Sequence, residues 1–444
     1  MTMIRPAFRT LSRFFPTLAS RTQLVAGATL HVQRTFPARP HDNFVTHHPS
    51  SGRLLHSSAA PPRSFSTVSI PLSATDPPTT LHAIWLRDHC RCAACWHPIT
   101  KQRLVDTATL PRDISVTSVK VAGDAVHLTW SDGHTATFEK AWLAQHAYGE
   151  KARFRTELEA QPYDAVKLWG AEIKHAPPSV EYDAVMDPSS DDGLAQWLAN
   201  IAQYGFSLVT NVPACSKKTR SLAERIAFIR ETHYGTYWDF TPNLEHGDTA
   251  YTSLALPAHT DTTYFTDPIG LQLFHLLGFT GTGGESLLVD GFAVAAQLKA
   301  QDPQAYRVLR DTKIGAHCAG DEATYIYPHP RYGYSMFTED AQGKLVTLRY
   351  NNNDRSVLNH LSSQEVEAYY DALLKWQALV KDKRNEYWFA AKPGLVWVLD
   401  NQRVMHGRAE FTGKDRRLTG CYLNGDDWRS RLRTVGKAVE RRLC

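Results

Sequence analysis

The chain has 444 residues, of which 43% are hydrophobic and 21% are charged, and its formal net charge is +4 at pH 7. This length gives room for about two or three domains, and the composition excludes a largely disordered chain. No run of about 18 uncharged apolar residues is present, so no membrane-spanning helix is predicted. Whether the small basic excess indicates a nucleic-acid partner depends on where it lies.

The basic excess lies at the N-terminus. Residues 1–67 contain eight Arg, no Lys and one acidic residue, Asp42, whereas residues 68–444 carry 41 basic and 44 acidic side chains, a net charge of −3. Arg-rich, Ser/Thr-rich and acid-poor segments of this kind are typical of mitochondrial presequences, and a disordered basic tail is the alternative. We therefore predict a presequence over 1–67, a location in the mitochondrial matrix, and neither a nucleic acid nor a membrane as partner.

Residues 68–165 are predicted to form a small β domain. Three β-rich stretches, TLHAIWLRDH, SVTSVKVAGDAVHLTW and HTATFEKAWL, are separated by turns with Gly and Asp. A mixed segment with several prolines, residues 166–190, is predicted to be a linker to the remaining chain.

The small domain carries a candidate zinc site. The chain has seven Cys, an odd and dispersed set that makes a poor disulfide framework. Three of them form a C-x-C-x2-C cluster: Cys90, Cys92 and Cys95. Three thiolates need one more ligand for a closed tetrahedral site. His89, His97 and His134 are candidates, and we favour His134, because its hairpin could fold back over the cluster. Chance thiols or a redox pair are the alternatives.

Residues 191–444 are predicted to form a mainly β domain with flanking helices. Helical spacing in DDGLAQWLANIAQYG ends at Gly205 and is followed by the apolar strand FSLVTNV and by a second helix in TRSLAERIAFIRET. From Tyr251 onward, short apolar strands are separated by Gly, Pro and Asn and interrupted by one helix, QEVEAYYDALLKWQALVKD. This pattern predicts a β-barrel or jelly roll.

A candidate iron site follows from three side chains in this domain. His259 and Asp261 lie two apart in LALPAHTDTTYF, a spacing that places both side chains on one face of a strand. Such pairs also arise by chance, and His246 with Asp248 is another. A 2-His-1-carboxylate site for Fe(II) needs a second imidazole, and His406 supplies one in the loop after the apolar strand LVWVLD. Histidines buried in a core are the alternative.

An arginine follows His406 at a useful distance. Arg416 lies ten residues later, in DRRLTGCYL, where its guanidinium could pair with a carboxylate in bidentate geometry. The adjacent Arg417 is the alternative for this role.

Several motifs occur together and in order: LRDHCRCAACW, RETHYGTYW, GDTAYTSLALPAHTDTTYF, GTGGESLLVDGF, RYNNNDR and DNQRVMHGRAEFTG. This combination, from about residue 82 to residue 433, resembles the γ-butyrobetaine and trimethyllysine dioxygenases, which are Fe(II)/2-oxoglutarate oxygenases of carnitine biosynthesis. The resemblance implies a double-stranded β-helix (jelly roll) catalytic domain, an N-terminal zinc-binding domain and a homodimer.

The resemblance also implies cofactors and their ligands. They are Fe(II), 2-oxoglutarate, O2, ascorbate as reductant and structural Zn. The iron ligands would be His259, Asp261 and His406, and Arg416 would hold the distal carboxylate of 2-oxoglutarate. Ser286 occupies a position where a hydroxyl often assists, and a structural serine is the alternative.

A small zwitterionic substrate is implied as well. Four aromatic residues align with the cage that holds a quaternary ammonium in this family, although each alone would fit core packing: Tyr234, Trp238, Tyr251 and Tyr422. Trimethyllysine carries an α-ammonium that γ-butyrobetaine lacks, and Asp248 is an acid in a place suited to it. Asn351 or Asn352 would bind the substrate carboxylate; a role for Asn353 or Asp354 is left open, and a simple Asn-rich turn is the alternative.

We therefore predict hydroxylation of N6,N6,N6-trimethyllysine at C3, the first step of carnitine biosynthesis, by a 2-oxoglutarate-dependent dioxygenase. A γ-butyrobetaine hydroxylase is one alternative. A catalytically silent zinc-binding interaction protein is another, and the presence of all four site residues, His259, Asp261, His406 and Arg416, argues against it.

Overall fold

The computed structural model describes residues 64–73, 75, 77–149, 166–241, 252–318, 330 and 332–435. The chain divides into two units, Met1–Ser64 and Phe65–Cys444, and every element below belongs to the second. The predicted presequence therefore lies almost wholly outside the described residues. Among the described helices, each is too short or too polar to cross a lipid bilayer.

Two small sheets and two short helices build the N-terminal part. The elements are β1 (Thr67–Ile70), β2 (Thr79–His82), α1 (Ala83–Asp88), β3 (Val116–Ala122), β4 (Ala125–Trp130), β5 (Thr135–Glu139) and α2 (Lys140–His146), with a 3-10 turn at Thr107–Thr109. β1 pairs with β2, and β3, β4 and β5 form an antiparallel meander. Alternate residues of β4 and β5, among them Leu128, Trp130 and Phe138, are buried in one core.

One predicted strand of this part is wrong over half its length. TLHAIWLRDH is extended only to His82 and then becomes helix α1. Ala83 and Leu86, three residues apart, are the buried residues of that helix, which is helical rather than strand periodicity.

The C-terminal part holds the remaining elements. Its strands are β6 (Ser179–Glu181), β7 (Phe206–Thr210), β8 (Tyr237–Phe240), β9 (Leu256–His259), β10 (Leu271–Gly278), β11 (Thr282–Gly283), β12 (Ser286–Asp290), β13 (Phe337–Glu339), β14 (Leu345–Leu348), β15 (Tyr387–Phe389), β16 (Val396–Asp400), β17 (Val404–Arg408), β18 (Phe411–Thr412) and β19 (Arg417–Leu423). Its helices are α3 (Tyr182–Met186), α4 (Asp192–Tyr204), α5 (Ser216–Ile226), α6 (Gly291–Gln301), α7 (Pro303–Asp311), α8 (Ser363–Val380) and α9 (Gly425–Thr434), with a 3-10 turn at Ala171–His175.

Two sheets form the body of this part. The main sheet has the order β6-β7-β16-β10-β19-β8, and the minor sheet has the order β15-β12-β17-β9. Neighbouring strands are antiparallel except for β6 and β7. Phe206 and Trp397 of the main sheet and Leu288 and Tyr387 of the minor sheet share one core, so the sheets pack face to face. This confirms the predicted jelly roll.

Helices cover the outer face of each sheet. Leu194, Trp197 and Trp428 from α4 and α9 pack on the main sheet, and Leu298 and Trp376 from α6 and α8 pack on the minor sheet. The strands are therefore buried on both faces, which explains their continuous apolar sequences.

The predicted α4, α5 and α8 are present, although α5 ends already at Ile226. Gly205 ends α4 with φ 75°, a left-handed conformation that suits glycine. The expectation of a single helix after residue 251 is wrong, because α6, α7 and α9 also occur there. The side chain of Asp302 caps α7 by accepting bonds from Gln304 N and Ala305 N, and Pro303 follows at the first helical position. This Asp-Pro start is a helix signal in the sequence.

Residues 166–190, predicted as a linker, instead contribute to the jelly roll. β6 extends the main sheet by pairing with β7. Trp169 is buried between the two sheets, and its indole Nε1 donates to Tyr204 O at 2.7 Å. The prolines of this segment therefore lie beside the edge strand of an ordered sheet, and the segment is not a connection between domains.

His275 is a fully buried imidazole on β10 whose surroundings suit the neutral ring. Thr219 Oγ1 donates to Cys215 O at 3.1 Å, so it accepts a bond from His275 Nδ1 at 2.7 Å. Gly394 N donates to His275 Nε2 at 3.2 Å. A proton on Nε2 would point at the Gly394 N–H and would find no acceptor there. Burial lowers the pKa of His275 to about 4.

We predict that His275 makes the protein less stable in mild acid. The unfolded chain, with an imidazole pKa of about 6.5, binds the proton first, so stability is full above that pH and is lost as the pH falls towards about 4. Between pH 7.5 and pH 5 this amounts to roughly 2 kcal/mol in the free energy of unfolding. Urea titrations of the wild type and His275→Gln at both pH values measure it.

The exposed His360 provides the matched control, and His360→Gln should retain the acid sensitivity of the wild type. If His275→Gln loses as much stability as the wild type between the two pH values, His275 is not the responsible group.

Candidate active site

The two sequence-predicted histidines lie on adjacent strands of the minor sheet. His259 at the end of β9 and His406 in β17 are register partners, with ring centroids 4.4 Å apart. His406 was predicted in the loop before a strand, but it lies within strand β17. The turn after β16 is already complete at Asn401–Arg403. Asp261 lies two residues beyond β9 rather than on it, next to Thr262 with φ 55°.

These three residues bring their donor atoms together. Asp261 Oδ1 lies 3.2 Å from His259 Nε2 and 3.9 Å from His406 Nε2, and all three donor atoms fall within 4.8 Å of one another. His259 Nδ1 donates to Pro257 O at 2.8 Å, which leaves Nε2 directed at the carboxylate. Two imidazoles and one carboxylate on one side form the donor set of a facial iron(II) site.

The electrostatics favour a cation among these donors. Burial alone would lower the pKa of His259 and raise that of Asp261, but their hydrogen bond and opposite charges outweigh it, so the pKa of His259 is raised and that of Asp261 is lowered. Burial, and then the charge of His259, lower the pKa of His406 to about 3, which keeps that ring neutral. His406 and Asp261 are thus in the forms that ligate metals, a neutral imidazole and an ionised carboxylate, and a metal ion would take the place of the proton on His259.

Asn401 fixes the backbone of Asp261. Asp261 N donates to Asn401 Oδ1 at 2.7 Å, and Asn401 Nδ2 donates back to Asp261 O at 2.9 Å. Asn401 is buried in the turn between β16 and β17. The same short turn therefore delivers His406 to the site and holds Asp261 beside it.

An open cavity lies over these donors, with one aromatic wall. The wall includes Trp238 on β8 and Tyr422 on β19, whose rings meet edge to face at 5.6 Å. Trp238 also lies 5.4 Å from Phe274. Tyr234 lines the cavity as well, and its hydroxyl lies 3.2 Å from that of Tyr264. Three of the four predicted cage residues are thus together, and the fourth, Tyr251, lies outside the described residues.

The opposite end of the cavity is cationic. Arg416 and Arg408 both line it and are both buried. Burial, and then the charge of Arg408, lower the pKa of Arg416 to about 10, and burial lowers that of Arg408 to about 10. The Nε atoms of Arg416 and Arg408 both lack a hydrogen-bond partner among the described residues, and Arg408 Nη2 donates to two backbone carbonyls. A carboxylate would satisfy these orphaned donors.

The adjacent Arg417 takes a different direction. It is exposed and binds Asp239 through two nitrogens, each at 2.8 Å. Ser286, at the start of β12, is buried, lines the cavity with Arg416, and pairs in register with Arg408. Of the two adjacent arginines, Arg416 alone lines the cavity.

The Asn-rich segment forms a polar rim, but not with all the predicted residues. Asn351, Asn353 and Asp354 line the cavity. Asn352 does not; it is exposed, and its Oδ1 accepts a bond from Gln377 at 3.4 Å. Asn351 Nδ2 donates to Asp354 Oδ2 at 2.8 Å, and its Oδ1 accepts from Asn353 N at 3.0 Å. Asp248, the other predicted substrate residue, lies outside the described residues.

The N-terminal part brings a second set of donors together. Four donor atoms lie within 4.8 Å of one another, those of Cys90, Cys92, Cys95 and His134. The three thiols lie 3.2, 3.7 and 3.6 Å from His134 Nε2, close to the spacing of about 3.5 Å between corners of a zinc tetrahedron. The other candidates point elsewhere: His89 Nδ1 bonds Trp85 O, and His97 Nδ1 accepts from Thr100 N.

Comparison with known proteins identifies the family. Residues 159–422 match the family described as "Taurine catabolism dioxygenase TauD, TfdA family". The chain belongs to the TauD/TfdA dioxygenase family. Residues 70–144 match "Gamma-butyrobetaine hydroxylase-like, N-terminal". These matches confirm the resemblance read from the motifs.

Three relatives show which members of the TauD/TfdA dioxygenase family this chain is more similar to among those compared. The chain is 39% identical to the trimethyllysine dioxygenase of Neurospora crassa, over 80% of this chain and 81% of that protein. It is 39% identical to the mitochondrial trimethyllysine dioxygenase of Homo sapiens, over 80% and 82%. The gamma-butyrobetaine dioxygenase of a Pseudomonas species is 31% identical, over 79% and 89%.

Sequence reasoning missed several cavity residues of this TauD/TfdA dioxygenase. They are Gln272, Asn401 and Arg408, which contact the site or line it. Each is a polar residue in or beside an apolar strand, in LQLFHLLG, LVWVLDN and VMHGR. Polar residues are seldom buried without a partner. Their presence in apolar strand sequences was therefore the signal that could have indicated a role in the site.

Proposed function

We propose that this 2-oxoglutarate-dependent dioxygenase hydroxylates N6,N6,N6-trimethyllysine at C3. The observation that carries the proposal is the meeting of the His259, Asp261 and His406 donors with an aromatic wall and a buried guanidinium in one cavity. The higher identity to trimethyllysine dioxygenases, 39% against 31% for a gamma-butyrobetaine dioxygenase, supports this substrate over the alternative.

His259, Asp261 and His406 would hold Fe(II). With O2 and 2-oxoglutarate, iron supplies the oxidising power that breaking an unactivated C–H bond requires, and ascorbate would keep it reduced. The protein's own contribution is to position the metal ligands and the substrate and to exclude water. The buried turn at Asn401 keeps Asp261 in place.

Arg416 and Ser286 would bind 2-oxoglutarate. A dicarboxylate compensates a buried, unpaired guanidinium, and Arg416 offers its orphaned Nε at the cationic end of the cavity. Ser286 lines the same cavity and is the register partner of Arg408, so its hydroxyl could donate to the same carboxylate.

Trp238, Tyr234 and Tyr422, with Tyr251, would surround the trimethylammonium group. That group has no N–H to donate, so aromatic faces are its best partners, at about 0.5–2 kcal/mol each. Asp248 would pair with the α-ammonium, and Asn351 would contribute to the carboxylate site. Asp354, which lines the cavity, is a second candidate for pairing with the α-ammonium.

The substrate assignment predicts selective effects of two neutralising variants. Purified protein is incubated with Fe(II), ascorbate and 2-oxoglutarate, and succinate release is compared with trimethyllysine and with γ-butyrobetaine. We expect stimulation by trimethyllysine. Asp248→Asn and Asp354→Asn should reduce kcat/KM for trimethyllysine about 10-fold or more, because an ammonium loses its charged partner, with little change for γ-butyrobetaine.

Preference for γ-butyrobetaine would contradict the proposal, and no stimulation by either compound would favour the silent interaction protein. Equal losses on both substrates would argue against ammonium pairing by the variant concerned.

A second prediction separates the two adjacent arginines. Arg416→Lys keeps the charge but not the planar fork, so the KM for 2-oxoglutarate should rise about 10- to 100-fold. Arg417→Lys, at the exposed pair with Asp239, should leave that KM unchanged. Steady-state kinetics with saturating substrate measure both, and the reverse pattern would transfer the role to Arg417.

We also propose that the Cys90, Cys92, Cys95 and His134 cluster binds structural zinc. Four protein ligands leave no open position, so this ion would stabilise the fold and take no part in the reaction. It would tie α1 and its loop to the hairpin of β4 and β5, whose mutual burial forms a small core.

Zinc removal should loosen the N-terminal part selectively. Elemental analysis of the wild-type protein should give about one zinc per chain, and His134→Ala should lose it and become sensitive to limited proteolysis within residues 68–149. Cys215→Ser, at an exposed cysteine, is the control and should keep both zinc and protease resistance. A full zinc content in His134→Ala would refute this ligand set.

We further propose that residues 1–67 are a mitochondrial presequence and that the protein acts in the matrix, as a homodimer. Eight Arg against one acid support the first part. The names of the chicken and human relatives, which include the word mitochondrial, agree with it.

A further inference from the structure

Asp261 uses its two carboxylate oxygens for different purposes. Oδ1 faces the imidazoles of His259 and His406 at 3.2 and 3.9 Å. Oδ2 accepts two other bonds, from Gln272 Nε2 at 2.7 Å and from Tyr422 Oη at 2.9 Å. The two donors to Oδ2 belong to the main sheet, whereas His259 and His406 belong to the minor one.

The sheet register explains why both donors reach the same oxygen. Gln272 on β10 and Tyr422 on β19 are directly opposite each other, so their side chains emerge side by side on one face of the sheet. Their neighbours in sequence point the other way, into the core under the helices: Leu271, Leu273, Cys421 and Leu423. A one-residue slip of either strand would remove a donor.

Gln272 is costly for the fold. It is 2% exposed, and its Oε1 has no hydrogen-bond partner among the described residues. A buried, unsatisfied acceptor costs about 1–3 kcal/mol, and an apolar residue of the same size would avoid this cost. Residues that break a stability rule in this way are expected where function requires them.

We propose that Gln272 and Tyr422 are positioning residues that restrict Asp261 to metal binding through Oδ1. This rests on the proposed iron site. With both acceptor directions of Oδ2 engaged, Asp261 occupies one coordination position, and an octahedral ion with three protein ligands keeps three positions for co-substrate and O2. Two-oxygen binding by Asp261 would remove one of them.

Tyr422 thereby links two parts of the site. Its ring is part of the aromatic wall beside Trp238, and its hydroxyl holds the carboxylate. A cation that settles against this ring contacts the same side chain that orients the metal ligand.

Fe(II) binding tests the proposal without turnover. Full-length, zinc-loaded protein is stripped of iron and titrated with Fe(II) alone by anaerobic calorimetry. Gln272→Met and Tyr422→Phe each remove one donor and keep the volume, so each should raise the Kd for Fe(II) about 10- to 100-fold. Tyr234→Phe is the matched control, since it removes a hydroxyl from the same cavity that contacts Tyr264 instead, and its Kd should match the wild type.

A thermal melt of each iron-stripped variant separates positioning from structure. Gln272→Met should melt near the wild-type temperature, because removal of the unsatisfied Oε1 offsets loss of the Nε2 hydrogen bond to Asp261 Oδ2. Unchanged Kd values in both variants, with a wild type that binds Fe(II), would overturn the positioning role alone. A wild type that binds no Fe(II) would overturn the iron site itself, and a Gln272→Met melting temperature well below that of the wild type would make the residue structural.

Discussion

A buried ion pair between Arg403 and Asp290 holds the halves of the jelly roll in place. Both residues are almost fully buried, and two bonds of 3.1 and 2.8 Å join them. The remaining guanidinium donors reach Gln203 O and Lys167 O, and Asp290 also accepts from Trp169 N. The Arg403 guanidinium thus connects the minor sheet to the end of α4 and to the segment before β6, which includes Lys167. Loss of one partner would leave an unpaired charge in the interior, at about 3–5 kcal/mol.

The position of this pair in the chain connects stability with chemistry. Arg403 closes the turn that begins at Asn401, and His406 follows three residues later on β17. A displacement of the turn would move His406 and the Asn401 bonds to Asp261 together. Asp261 and His406 therefore share one buried support, which suits the proposed metal site, because metal ligands must be held to within about 0.5 Å.

Local patterns predicted much of this protein, and long-range pairing accounts for what they missed. The Gly205 stop of α4, the cysteine cluster and the His259–Asp261 pair are readable because neighbours in sequence carry the signal, whereas His406 was assigned through the resemblance of several motifs. The two donors to Asp261 Oδ2 are not readable in this way, because Gln272 and its partner lie 150 residues apart and meet only through the register of β10 and β19. Helix α6 escaped for a different reason, since its polar residues, Gln297, Lys299 and Gln301, come only in its second half and its sequence has no clear helical period.

The distribution of charge in the cavity would order the two organic ligands of the proposed reaction. Arg408 and Arg416 remain cationic near neutral pH although burial lowers the pKa of each to about 10, so the fold bears an unfavourable charge density at one end. A dicarboxylate relieves it, whereas a cationic substrate would increase it. At the other rim, Asp354 and the aromatic wall favour a cation. In the proposed reaction, each ligand would thus be attracted to one part of the cavity and repelled from the other.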